Sequence, residues 1–160
     1  MHLASLIICP DTEHAMVSII HPSFPDFLTD PSRCTHPDFV VRLPLHHTIL
    51  AKRCMKILNV SLRENPCDLQ DRLLLNSEVD DLPARVSCYI PAHVQYAARY
   101  WPFHLSEGCV DEELLSQIES FCNTRLLHWI ETLSLLGALD TAIYSFPSIC
   151  DALKVNTTCR

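Results

Sequence analysis

Apolar positions recur at helical spacing over most of the chain. From about Leu45 to Leu62, Leu50, Cys54, Ile57, Leu58 and Leu62 share one stripe, while Lys52, Arg53, Lys56 and Arg63 lie mostly off it. That pattern predicts an amphipathic helix. A second helix is expected after Pro91, a residue that suits a first turn. Its stripe is Val94, Ala97, Ala98, Trp101 and Leu105, flanked by Tyr96 and Tyr100, and Pro102 is expected to kink or end it. The strongest pattern begins near Val110, where Asp111, Glu112 and Glu113 complement a helix N-terminus. It runs through Leu114, Ile118, Cys122, Leu126, Trp129, Leu133 and Leu136 to Gly137, a residue suited to a helix stop. A last helix is predicted through Ala142 to Leu153, with a loose tail over 154–160.

The N-terminal part reads differently. Ala15 to Ile20 is short and partly β-branched, which predicts a strand that His21-Pro22 ends. Ser23, with Asp26 three residues on, has the spacing of a capping box, and Pro25 falls in a first turn. A short helix is therefore expected from Ser23 to before Pro31. Between Asn65 and Pro83 the pattern weakens. Leu73-Leu74-Leu75 reads as a buried anchor and Asn76 to Asp81 as a solvated loop. The fold class expected is all-α, a helical bundle or array with a small β element near the N-terminus.

Composition narrows the function classes. The chain has 160 residues, of which 48% are hydrophobic, enough for one domain or two small units. Its formal net charge is −7, with 12 basic and 19 acidic side chains and no basic run. Neither a nucleic-acid partner nor an anionic membrane surface suits that balance. The 9 His are outside that count, so mild acid would bring the net charge toward zero. The 9 Cys, at 9, 34, 54, 67, 88, 109, 122, 150 and 159, never stand two residues apart, so paired zinc knuckles are absent and most are expected to be buried thiols. Leu3 to Cys9 lacks a preceding basic residue and makes a poor signal peptide, and no apolar run reaches bilayer length. A reducing cytoplasm is the expected location.

Candidate chemistry is sparse. Two glycines, Gly108 and Gly137, cannot build a phosphate-cradling loop, and there is no Gly-x-Ser-x-Gly elbow. No catalytic residue, metal site or cofactor is therefore expected. Nine Cys and nine His make a chance thiol–imidazole pair uninformative. His46 and His47 with Cys54 could offer metal ligands, but adjacent helical residues point about 100° apart, so solvated histidines are expected. Glu78, Asp80 and Asp81 lack the alternation of a calcium loop. Trp101 and Trp129 are expected to pack between two helices. His21 stands at a strand-to-helix junction, where its side chain could reach the helix N-terminus or an anion near it; taken alone, an exposed or structurally bonded histidine is the expected reading.

The segment His21-Pro22-Ser23-Phe24-Pro25-Asp26-Phe27-Leu28 resembles the His-x-Ser-Phe-x-Asp-Phe-Leu element late in the winged-helix region of fungal NACHT-type (STAND) NTPase receptors. Further segments follow in the family's order: Asp30 to Cys34, Leu50 to Cys54 within His46 to Leu58, Cys67 to Leu69, Asn76 to Val79, Ile90-Pro91, Tyr96-Ala97, Tyr100-Trp101, His104-Leu105, Leu126 to Trp129, and Leu133 to Gly137. The resemblance implies a remnant of the winged-helix domain over 1–30 and a helical domain over 31–153. In that family a P-loop core precedes this region and WD40, ankyrin or TPR repeats often follow. These receptors act in non-self recognition and heterokaryon incompatibility. The resemblance further implies a non-enzymatic regulatory or linker module, with protein partners in the NTPase core or the receptor oligomer. It makes His21 a sensor of the nucleotide β-phosphate in the context of a complete receptor. The P-loop and the Mg-binding acidic strand are absent from this chain. A free-standing adaptor or decoy that binds full receptors is the alternative, and a Cys/His metal or thiol protein the third.

Overall fold

The computed structural model describes residues 7–8 and 18–157. Among them the chain is all-α with one small antiparallel ladder. The strands β1 (Ile7–Ile8) and β2 (Ser18–Ile19) pair with Ile7 opposite Ile19 and Ile8 opposite Ser18. Helices follow in order: α1 (Ser23–Thr29), α2 (Leu43–Ser61), α3 (Leu82–Tyr89), α4 (Ala92–Glu107), α5 (Glu112–Thr124), α6 (Leu126–Leu135) and α7 (Leu139–Thr157). The expected strand residues Ala15 to Val17 lie outside the described residues, as do Leu3, Leu6, Cys9 and Cys159.

The chain divides into two compact units, 1–43 and 44–160. α7 carries helix on to Thr157, into the expected tail. In the first unit α1 buries Phe24, and Cys34 is buried beyond it. The chain returns to α1 where Val41 N–H donates to the Leu28 carbonyl at 2.8 Å. The expected capping box does not form. Ser23 is already helical, no side chain caps the helix in that way, and Phe24 N–H donates to the His21 carbonyl at 3.1 Å.

In the second unit the core is a cluster built by α2, α4, α5, α6 and α7. Ala51, Met55 and Leu58 of α2, Ala97 and Trp101 of α4, Ile118 and Phe121 of α5, and Trp129 and Leu133 of α6 are essentially inaccessible. Trp101, Phe121 and Trp129 meet edge to face, with centroids 5.3 to 5.9 Å apart. Such tilted contacts suit the ring quadrupoles. A smaller cluster of Cys67, Ile90, Val94 and Leu135 anchors the segment between α2 and α4.

Four expectations are corrected here. The stretch from Val110 to Gly137 is two helices, not one: Arg125, at φ −124°, separates α5 from α6. The stop at Gly137 does occur. Gly137 has φ +63°, its N–H donates to the Ser134 carbonyl, and Ala138 N–H donates to the Leu133 carbonyl, the two bonds of a Schellman motif. Leu73, Leu74 and Leu75 are exposed rather than a buried anchor, Leu73 being 93% accessible. Pro102 does not end α4, which continues to Glu107. A helix interior proline leaves the carbonyl four residues back without its donor. That carbonyl belongs to Ala98, and the indole Nε1 of Trp129 donates to it at 2.8 Å. Most cysteines were expected to be buried, yet among the described residues Cys34, Cys54 and Cys67 are buried while Cys88, Cys109, Cys122 and Cys150 are exposed. Cys88, Cys122 and Cys150 stand on α3, α5 and α7, and Cys109 in the connection between α4 and α5.

Candidate functional site

Helical periodicity sets His104 three residues after Trp101 and one before Leu105, squarely on the buried face of α4. It is 5% exposed. A buried imidazole needs partners for both nitrogens, and His104 has them. Its Nδ1 lies 2.9 Å from Nδ1 of His47 on α2, and its Nε2 lies 2.7 Å from the Tyr96 hydroxyl one helical stretch back on α4. Phe103 meets the half-buried His47 ring edge-on, with centroids 5.5 Å apart. Burial holds the His104 pKa below the usual histidine value, and the neighbouring His47 acts in the same direction. Burial raises the Tyr96 phenol, with the nearby Cys54 and Tyr100 adding to it. Cys54 is pushed up to about 11 by burial, which keeps its thiol protonated and a poor nucleophile.

At the next residue after His47, Thr48, α2 is tied to the connection before α5. Cys109 N–H donates to the Thr48 hydroxyl at 2.8 Å, and that hydroxyl has the carbonyls of Pro44 at 2.9 Å and Cys109 at 3.1 Å as acceptors. Lys52 lies 2.6 Å from both Asp111 and Glu113. Asp111 also caps α5 by accepting from Leu114 N–H. The Lys52 ammonium and the Leu114 N–H together hold the Asp111 carboxyl below its ordinary pKa. The connection between α2 and α3 is held by polar links as well. Asn65 takes φ +48°, and its N–H donates to the Glu131 carboxylate at 3.2 Å. Arg85 donates to the Cys67 carbonyl at 2.9 Å.

Two open depressions mark the second unit. One, about 510 Å³, runs between α4 and α7 and is lined by Arg99, Tyr100, Pro102, Phe103, Ser106, Thr141, Tyr144 and Ser145. Its aromatic walls are exposed: Tyr144 is 79% accessible and Phe103 54%. The neighbouring Ile143 is exposed too. The other, about 560 Å³, lies between the α2–α3 connection and α6, with Asn65, Arg72, Asn76 and Glu131 among its walls.

The expected site residues separate. His21 is exposed in the first unit, where its Nδ1 accepts from Ser23 N–H at 3.1 Å and lies 2.7 Å from Ser23 Oγ. His46 is exposed, whereas His47, expected in solvent, is bound to His104 57 positions away in sequence. Trp101 and Trp129 pack in the core. Of the acidic cluster, Glu78 accepts from Leu75 N–H at 2.8 Å, and Asp81 precedes α3 with φ +54°. Sequence reasoning missed the His104 network. Its signal is a histidine standing inside an otherwise apolar helical stripe.

No group of three or more His, Cys, Asp or Glu side chains suited to a metal ion occurs among the described residues, and none of their helices is long and apolar enough to cross a membrane. No family model matches the chain, and neither a curated protein nor a solved structure does.

Proposed function

We propose that the chain is a non-enzymatic helical module of a NACHT- or STAND-type receptor, one that relays nucleotide state between an NTPase core and sensor repeats through protein contacts. The observation that carries this reading is the aromatic surface between α4 and α7. Phe103, Tyr100 and Tyr144 stand exposed around it. A soluble protein that displays such a cluster gains by covering it with another protein surface. The polar cross-links support the mechanical part. Thr48 to Cys109, Asn65 to Glu131 and Arg99 to the Leu136 carbonyl each join distant points of the second unit. With these ties the core of the second unit moves as a lever.

In the same reading His21 is the nucleotide-sensing residue of a complete receptor. Its Nδ1 accepts from Ser23 N–H, so Nε2 carries the ring proton and is a donor of the kind a phosphate oxygen takes. The test is binding of the purified chain to the NTPase core of a NACHT-type receptor, loaded in turn with ADP and with a non-hydrolysable ATP analogue. The expected result is binding that differs between the two nucleotides and is lost in Tyr144→Glu, a surface change that leaves the folded state intact. Binding that ignores the nucleotide would favour a free-standing adaptor. No binding with either nucleotide would overturn the proposal.

A further inference from the structure

We propose that His47 and His104 form a proton-operated latch, which frees the N-terminal turns of α2 from α4 once the pair has taken up two protons. The argument starts from the head-to-head contact. The two rings face each other through Nδ1 at 2.9 Å, so one Nδ1 must donate and the other accept. With both rings neutral this is satisfied. With one added proton it is still satisfied, because one ring remains able to accept. With two added protons both Nδ1 atoms carry hydrogen, and two cationic N–H groups point at each other.

Among the described residues neither ring bonds a carboxylate, and Glu107, three residues after His104 on α4, makes no bond to the pair. The groups facing the pair are Tyr96 and Tyr100 on α4, and Cys54 on α2, which acts on Tyr96. Burial raises both the Tyr96 phenol and the Cys54 thiol, which keeps these two neutral in mild acid. On the adjoining α5 and its cap, Glu113 and Asp111 are bound to Lys52. The second imidazolium would also be the buried one, since His104 is 5% exposed while His47 is half-buried. Burial keeps His104 reluctant to take its proton. Separation of the helices lets water reach it and ends the repulsion. His47 sits just past Leu43/Pro44, where the chain passes from one compact unit to the other. Opening the latch therefore loosens the first turns of the second unit and leaves the Trp101–Phe121–Trp129 core in place.

The test is amide hydrogen exchange of the whole chain between about pH 8 and about pH 5, with rates corrected for the intrinsic effect of pH. Residues 44–51 and 100–107 are expected to lose protection by about tenfold or more on acidification, while residues 114–121 hold theirs. His47→Gln keeps a group able to bond His104 but cannot take a proton, so that step should vanish. Equal loss in the wild type and His47→Gln, or no loss in the wild type, would overturn the latch. If His47→Gln fails to fold, nitrogen-15 spectra of the wild-type rings decide. Two separated uptake steps, the second concurrent with exchange in 44–51, support it; independent uptake by the two rings sinks it.

Discussion

The indole of Trp129 has a task that no other side chain of α6 performs. Pro102 has no N–H, so the Ala98 carbonyl inside α4 would be buried without a donor. Trp129 Nε1 supplies one at 2.8 Å. Trp129→Phe removes that donor and part of a fully buried ring. An orphaned buried carbonyl costs about 1–3 kcal/mol, and the lost ring volume adds about 1 kcal/mol to it, for a total of about 2–4 kcal/mol. Pro102→Ala restores the N–H that α4 lacks, so in its background Trp129→Phe should strand no carbonyl. The cost of Trp129→Phe should then shrink by about 1–2 kcal/mol. Urea unfolding of the four proteins, with the slopes checked for constancy, measures that coupling. Trp101→Phe serves as a comparison, since Trp101 is just as buried but its Nε1 has no protein partner. Its cost should be lower than that of Trp129→Phe. A coupling within about 0.3 kcal/mol of zero would refute the idea that Trp129 compensates Pro102.

The two glycines fail for different reasons when substituted. A Cβ at Gly108 would lie 2.9 Å from the His104 carbonyl oxygen and 2.9 Å from the Thr48 nitrogen, both backbone atoms. Gly108→Ala should therefore cost about 2 kcal/mol by overpacking and lower Tm by about 4–8 °C, and a calorimetric Tm equal to wild type would contradict this contact. At Gly137 a Cβ meets nothing, so the cost of Gly137→Ala is the left-handed backbone alone, about 1 kcal/mol; Gly137→Asn should cost less, and equal denaturation midpoints for the two would count against that cause. The depressed His104 pKa gives stability a pH dependence. Between its folded value and the ordinary 6.5, the unfolded chain binds more protons. Stability is thus complete above about pH 6.5 and lost as pH falls toward the folded value. A Tm profile flat through this range would oppose it.

The helical face of α4 is legible because every residue of its stripe is large or set among large neighbours, and Val94, Ala97, Ala98, Trp101 and Leu105 are all buried. On α2 the expected stripe is buried at Cys54, Leu58 and Leu62, and the buried face extends beyond it. Ala51 and Met55 are inaccessible while Leu50 is half-buried, since a small alanine carries little weight in a pattern yet allows the closest helix approach. The break at Arg125 has no proline or glycine to announce it, and α3 is hidden because Pro83 reads as a boundary when it stands in a first turn. The His47–His104 contact spans 57 positions and has no local signature.

What joins the unread features is an unmet backbone group. Pro102 frees the Ala98 carbonyl, and Trp129 meets it. The turn at Gly108-Cys109 exposes an N–H, and Thr48 meets it. In the connection after α2 the left-handed Asn65 has a free N–H, and Glu131 meets it. Each donor or acceptor comes from an element far off in sequence, because the local chain has just been broken and offers none. Periodicity thus reads the intact helices, while the places where they break set the demands that tertiary structure must satisfy. Pro102 was visible in the sequence as such a demand. A partner for Ala98 was required by covalent chemistry alone, and only the fold could say that it would be Trp129.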